Sequence, residues 1–282
     1  MEIFGSIKAV QHRLHILRLQ GNTIGLTPTM GGLHRGHMEL VRTSRDQNDI
    51  TVATIYVNPT QFNNPLDLIN YPRSLEKDLE LLESGSVDIV FTPSDQEMYP
   101  NPPQLKFDFG ELDKTMEGKY RPGHFSGVGI VVTKLFNILG PDRAYFGQKD
   151  IQQLMIIRQL VRDVNFGIEI VGVPTVRENS GLAMSSRNER LSKEQRSKAD
   201  IIYKGLVEGS NKIAEGYKVD DCKEAIMKIY ATEPELQPEY IEFVDIDDMV
   251  LLKEINKTKS LAICTAAYLG EVRLIDNIIV EL

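Results

Sequence analysis

His34 and His37 stand three residues apart in the run Pro-Thr-Met-Gly-Gly-Leu-His-Arg-Gly-His, which extends from Pro28 to His37. The whole chain holds only 5 histidines, so two in one place invite a chemical reading. A strand ending near Pro28 and a helix opening at His34 would set both at a helix mouth. At spacing i and i+3 their rings project on the same face. Gly31 and Gly32 permit positive φ and close backbone approach. The helix start offers unpaired N–H groups and a partial positive charge. Together these groups can hold a triphosphate and stabilise the charge that builds on its α-phosphate during attack. Met30, Leu33 and Arg35 complete the stretch, and Gly36 would let a nucleotide lie against the helix backbone. The competing reading makes both histidines surface or packing residues.

Four further segments carry groups suited to the same chemistry. Tyr145–Leu154 joins a strand to a helix. Its Lys149 can pair with phosphate, its Asp150 can cap the helix or hold a ribose hydroxyl, and Gln153 would face the same cleft. Gly181–Ser192 offers Ser185, Ser186 and Arg187, two hydroxyls and a forked cation, as a phosphate clamp. Tyr56–Pro65 carries Gln61, donor and acceptor at once, fit for a small polyol acid. Glu117–Val128 gathers Lys119, Arg121 and His124 in a glycine-containing loop that could bind anions or close over a site. Each has a plainer alternative: a solvated loop, a capping turn, or an Asn-Pro turn.

The elements that must position these groups alternate. Strands read at 22–28, 50–57, 87–93, 143–147 and 168–174, and helices at 34–44, 74–85, 128–139 and about 150–164. That alternation predicts an α/β fold: a Rossmann-like parallel sheet with helices on both faces. Ligands in such sheets sit beyond the carboxyl ends of the strands, where the segments after Leu26, Val57, Phe146 and Val173 lie. Composition shifts after Arg190, and the natural boundary lies between Pro174 and Arg190. Beyond it come a charged amphipathic helix from Lys193, a second helix near 220–232, and two antiparallel strands at 240–247 and 260–269. The expected domains are residues 1–175 and a smaller C-terminal α+β domain, 176–282.

Composition narrows the function. The 282 residues are 41% hydrophobic and 26% charged, with a formal net charge of −8. An acidic chain has no global attraction for nucleic acid or anionic membranes. Neither a signal peptide nor an apolar run of roughly 20 residues is legible. Cys222 and Cys264 are far apart and read as free thiols of a reducing compartment, so a cytoplasmic location is expected. No serine or cysteine is set beside a base as a nucleophile.

In combination these segments resemble the pantothenate synthetase (pantoate–β-alanine ligase) family of the nucleotidyltransferase superfamily. The resemblance rests on the His-x-Gly-His stretch, Asn58-Pro59 with Gln61 and Phe62, Tyr71-Pro72-Arg73, and Arg121-Pro122-Gly123-His124-Phe125. It continues through Tyr145-Phe146-Gly147, Lys149-Asp150, Gln152-Gln153, Arg177-Glu178 and Ser185-Ser186-Arg187-Asn188. It implies that pantoate carboxylate attacks ATP to give an acyl-adenylate and pyrophosphate. The amine of β-alanine then displaces AMP. It further implies His37 and His34 as catalytic groups at the phosphates, His37 foremost. Met30, Gly31, Gly32, Leu33, Arg35, Gly36, Gly147, Gln148, Lys149, Asp150, Val176, Met184, Ser185, Ser186 and Arg187 would complete the ATP site. Gln61 and Gln153 would hold pantoate, with Gln61 also near β-alanine. Residues 1–175 would bind nucleotide and pantoate, and 176–282 would form a lid. Magnesium would escort the phosphates. Its ligands stay open, with Asp78 a candidate beside Lys77, where an acidic residue is common. A homodimer is expected, with no nucleic-acid or membrane partner.

Two rivals remain at this stage. One is a nucleotidyltransferase that leaves its nucleotide on a phosphorylated substrate. The other is a non-catalytic nucleotide-binding module. A tRNA synthetase fits poorly, since the chain is short and acidic and shows no tRNA-binding module.

Overall fold

β-Branched and aromatic residues between turn signals form most strands of this protein, and amphipathic helices between them bury an apolar stripe, while the helix His124–Leu139 is buried over most of its residues. The computed structural model describes residues 1–255 and 259–282. Strands β1 (Glu2–Phe4), β2 (Ile24–Thr29), β3 (Ile50–Ile55), β4 (Ile89–Phe91), β5 (Arg143–Gly147) and β6 (Glu169–Val173) form one sheet in the order β1-β4-β3-β2-β5-β6. Every pairing in it is parallel. The chain starts winding from β2 toward β3 and β4, then reverses to β5 and β6. The switch point therefore lies at β2 and β5, and ligands of such sheets bind beyond the carboxyl ends there.

Alternate residues of each strand serve opposite faces. Val52, Ile89 and Phe91 join a large core with Val10 and Leu14 of helix Ile7–Leu19 and Val128, Val132 and Phe136 of helix His124–Leu139. Ala53 and Val90 pack on the other face with Val41 of helix Arg35–Gln47 and Leu82 of helix Leu75–Ser84. Helices on both faces of a parallel sheet are what the alternation predicted. Sequence reading passed over β1 and helix Ile7–Leu19. With three residues, β1 is too short for a periodic signal.

The remaining sheet is antiparallel, in the order β7 (Leu236–Asp245), β8 (Ser260–Leu269), β9 (Val272–Glu281). Helices Ile201–Ala214 and Val219–Tyr230 share its core through Leu206, Ile213, Cys222 and Ile226 against Phe243, Ile263 and Leu274. Both cysteines are free and buried. The single charged helix expected from Lys193 is two, Lys193–Lys198 and Ile201–Ala214, the first with a Ser192–Gln195 capping box. β9 went unread, and its alternation pairs with β8 across a two-residue connection.

By contact the chain divides into two compact units. The first comprises Met1–Gln148 and Gln153–Pro174, and the second Lys149–Gln152 and Thr175–Leu282. The four residues from Lys149 to Gln152 thus group with the C-terminal unit, although in sequence they follow β5 and run into the first turn of the helix Ile151–Val164. Among the described residues no helix is long and apolar enough to cross a membrane.

Candidate active site

After β2 the chain turns through Met30–Leu33 into the helix Arg35–Gln47. Gly31 and Gly32 take φ of 81° and 61°, the left-handed region that favours glycine. A Cβ on Gly31 would also lie 2.9 Å from Oδ2 of Asp78. Asp78 is buried, and its oxygens accept the backbone N–H groups of Gly32 at 2.9 Å and Leu33 at 2.8 Å. A carboxylate more than forty residues away in sequence thus fixes the turn. The metal candidate of the sequence reading is placed as a loop anchor.

His34 is the N-cap of the helix. Its Nδ1 accepts the N–H of Gly36 at 3.1 Å, and Nδ1 of His37 accepts the N–H of His34 at 3.2 Å. A backbone N–H can only donate, so both Nδ1 atoms must be acceptors. A neutral imidazole then carries its hydrogen on Nε2. The rings lie 4.0 Å apart, centroid to centroid. Part of the N–H array that the sequence reading expected at this helix mouth is engaged within the protein. The N–H groups of Gly32, Leu33, His34 and Gly36 already have acceptors.

Gln61 closes the turn Pro59–Gln61 and is buried. Asn58 donates through Nδ2 to its Oε1 at 3.0 Å, while Oδ1 of Asn58 accepts the Tyr99 hydroxyl at 2.9 Å. Burial raises the Tyr99 phenol above its ordinary pKa, so it stays protonated and donating. This chain of bonds fixes the amide of Gln61: Oε1 accepts and Nε2 donates, with Sδ of Met30 at 3.1 Å from Nε2. His124 lies beneath. Its Nδ1 donates to the Gln61 carbonyl at 2.8 Å, and its Nε2 accepts from Arg121 at 3.2 Å. Arg121 in turn lies 3.6 Å from Glu117. His124 opens a helix and is 5% exposed; of the basic segment read from the sequence, His124 is a buried support for the Gln61 turn, Arg121 is half-buried and Lys119 is exposed. Gly127, one turn on, lets that turn press against the helix, since a Cβ there would collide with Thr60 O and Gln61 Cα.

At the switch point, β5 runs beside β2 and ends at Gly147. Gln148 follows in the same unit. Gln153, in the first turn of the next helix, is half-buried. In the second unit Lys149 and Ser185 line one small cavity, with Asn188 and Asp276 in its wall. Ser185 caps the turn Ser186–Arg190 by accepting the N–H of Arg187. The carbonyl of Val176 accepts the N–H of Met184 at 2.9 Å. Asp150 is exposed.

Residues 2–279 match the family model described as pantoate-beta-alanine ligase. The chain belongs to this ligase family. It is 46% identical over 278 residues to the pantothenate synthetase of Bacteroides fragilis, covering 99% of this chain and 98% of that one. It is 45% identical over 285 residues to that of Coprothermobacter proteolyticus, covering 100% and 99%. The crystal structure of pantothenate synthetase from Thermus thermophilus superposes with a TM-score of 0.93 at 39% identity, covering 99% of both chains. Pantoate-beta-alanine ligase from Francisella tularensis, crystallised with beta-gamma ATP and beta-alanine, gives 0.82 at 38%, covering 99% and 97%. The family resemblance read from the motifs therefore holds across the chain.

Three residues shape this region in ways that the sequence reading did not assign. Asp78 gave no signal for its part in the turn. Tyr99 gave none either, because its partner is set by the fold. Asn58 was legible in principle, as an Asn before Pro is a common cap, and here Oδ1 accepts from Thr60.

Proposed function

We propose that this protein joins pantoate to β-alanine at the expense of ATP, through a pantoyl-adenylate. The observation that carries the reading is the histidine pair at the carboxyl end of β2, each ring held by its Nδ1 so that Nε2–H is the donor. A pantoate carboxylate oxygen bonds to the α-phosphorus as the bond to the β-phosphate oxygen breaks, and pyrophosphate leaves. Negative charge grows on the phosphate oxygens during this step, and preorganised imidazole donors stabilise it. In the second step the β-alanine nitrogen bonds to the acyl carbon, AMP leaves and the amine loses a proton. The substrate supplies the nucleophile, so the protein contributes positioning and charge stabilisation.

His37 and His34 act at the phosphates. Gln61, fixed by Asn58, donates to pantoate, and Gln153 holds the same substrate. Gln61 also serves β-alanine. Met30–Gly36, Gly147, Gln148, Asp150, Val176 and Met184 serve the nucleotide, while Lys149, Ser185, Ser186 and Arg187 grip its phosphates. Among the described residues no three His, Cys, Asp or Glu side chains gather to hold a metal. Magnesium keeps waters and phosphate oxygens and needs few protein ligands, so it enters as part of the nucleotide substrate. By family resemblance the protein works as a cytoplasmic homodimer, which light scattering of the purified protein checks.

The test is direct. ATP, magnesium, pantoate and β-alanine should yield AMP and the amide. Exchange of labelled pyrophosphate into ATP should require pantoate and proceed without β-alanine. Exchange independent of pantoate would point instead to a different nucleotidyl transfer.

A further inference from the structure

The second unit holds a buried polar network whose end point is the backbone of Lys149. Arg177 meets the carboxylate of Asp276 with both arms of its fork, Nη1 to Oδ2 at 2.6 Å and Nη2 to Oδ1 at 3.0 Å. The same guanidinium donates to the carbonyls of Gly181 at 3.0 Å and Asn277 at 2.9 Å, and it stacks 3.9 Å from the ring centroid of Tyr203. Asp276 also accepts the N–H of Asn277 at 2.8 Å. Asn277, 4% exposed, donates its side-chain amide to the carbonyl of Lys149 at 2.8 Å.

We propose that Asn277 is a positioning residue for Lys149, and that the Arg177–Asp276 pair anchors it. Lysine carries its charge on a flexible four-carbon stem, so the ammonium is placed only as well as its own backbone is held. Lys149 lies in the short 3-10 turn Gln148–Asp150 between a strand and a helix. Asn277 fastens that turn to β9, within the unit to which Lys149–Gln152 belong. Arg177 fastens β9 to the Gly181 turn, which runs into Ser185, and an isolated bridge between Arg177 and Ala183 joins the same segment. One ion pair thus sets the spacing between the two segments that carry the phosphate-gripping groups. A buried ion pair is a weak source of stability, since desolvation offsets its attraction. Its use here is geometric. The inference rests on Lys149 binding phosphate, as proposed above.

The test is a double-mutant cycle on the full-length protein, read by pantoate-dependent pyrophosphate exchange. Misplacing a binding group by about 1 Å can cost up to about a hundredfold, so Asn277→Ala is expected to lower kcat for exchange about tenfold. Its thermal melt should stay within a few degrees of wild type. In a Lys149→Ala background the same Asn277→Ala change should cost less than about twofold, since the residues act as a unit. Equal costs in both backgrounds, or none in the wild-type background, would overturn the proposal. Should Asn277→Ala not fold, Asn277→Leu keeps the volume without the amide and takes its place. A Lys149→Ala enzyme with wild-type exchange would remove the phosphate role of Lys149 itself, and the positioning role with it.

Discussion

The Nδ1 atom of His37 accepts the backbone N–H of His34 at 3.2 Å, so the residue proposed to act on phosphate also builds the helix start that carries it. The two ring nitrogens have separate duties, and substitutions can separate them. His37→Ala removes both and should lower adenylation by about a hundredfold or more, the scale for losing one preorganised donor. His37→Asn keeps an acceptor near Nδ1, and His37→Gln keeps a donor near Nε2. Adenylation should be faster in the Gln variant, while the Asn variant should melt closer to wild type. Pyrophosphate exchange and calorimetry check the pair of orders.

Asp78→Asn turns an amide toward the N–H of Gly32 or Leu33 in place of an acceptor. Leaving one buried N–H without a partner should cost about 1–3 kcal/mol of stability, read in the denaturation midpoint. Exchange should slow because the turn that delivers His34 loosens. The magnesium concentration for half-maximal rate should not move, because both Asp78 oxygens serve the backbone. A several-fold rise in that concentration would make Asp78 a metal ligand instead.

Gly127→Ala drives a methyl into Thr60 O and Gln61 Cα, both backbone atoms that cannot swing aside. The Pro59–Gln61 turn must then shift. Overpacking of this kind costs about 1–3 kcal/mol, and the displaced Gln61 should raise KM for pantoate about tenfold or more. KM for ATP should change little. Gly167→Ala, where nothing lies within 4 Å of the added carbon, is the control and should leave both constants unchanged.

Much of the first unit was legible because its signals are local. β2, the Gly31-Gly32 turn and the helix after it are contiguous in sequence, and each follows from residue type over a few positions. His124 was not. It belongs to the same helical run as Val128–Leu139, but the glycines at 123 and 127 break the apolar pattern and made the first turn read as loop. The true requirement for Gly127 is the backbone of Thr60 pressed against it, which no local window contains.

The sequence by itself determined the parallel α/β class and the family, and singled out the histidines, glutamine, lysine and serines proposed for the chemistry, because periodicity and motif spacing act over a handful of residues. Only the tertiary structure decided the order β1-β4-β3-β2-β5-β6 that makes the ends of β2 and β5 a switch point. It alone gave Asp78 to the Gly32–Leu33 turn, Tyr99 to Asn58, and Lys149 to Asn277. Each of these bonds satisfies a polar group that burial strips of water, and which group needs a partner is settled only when distant segments close over it.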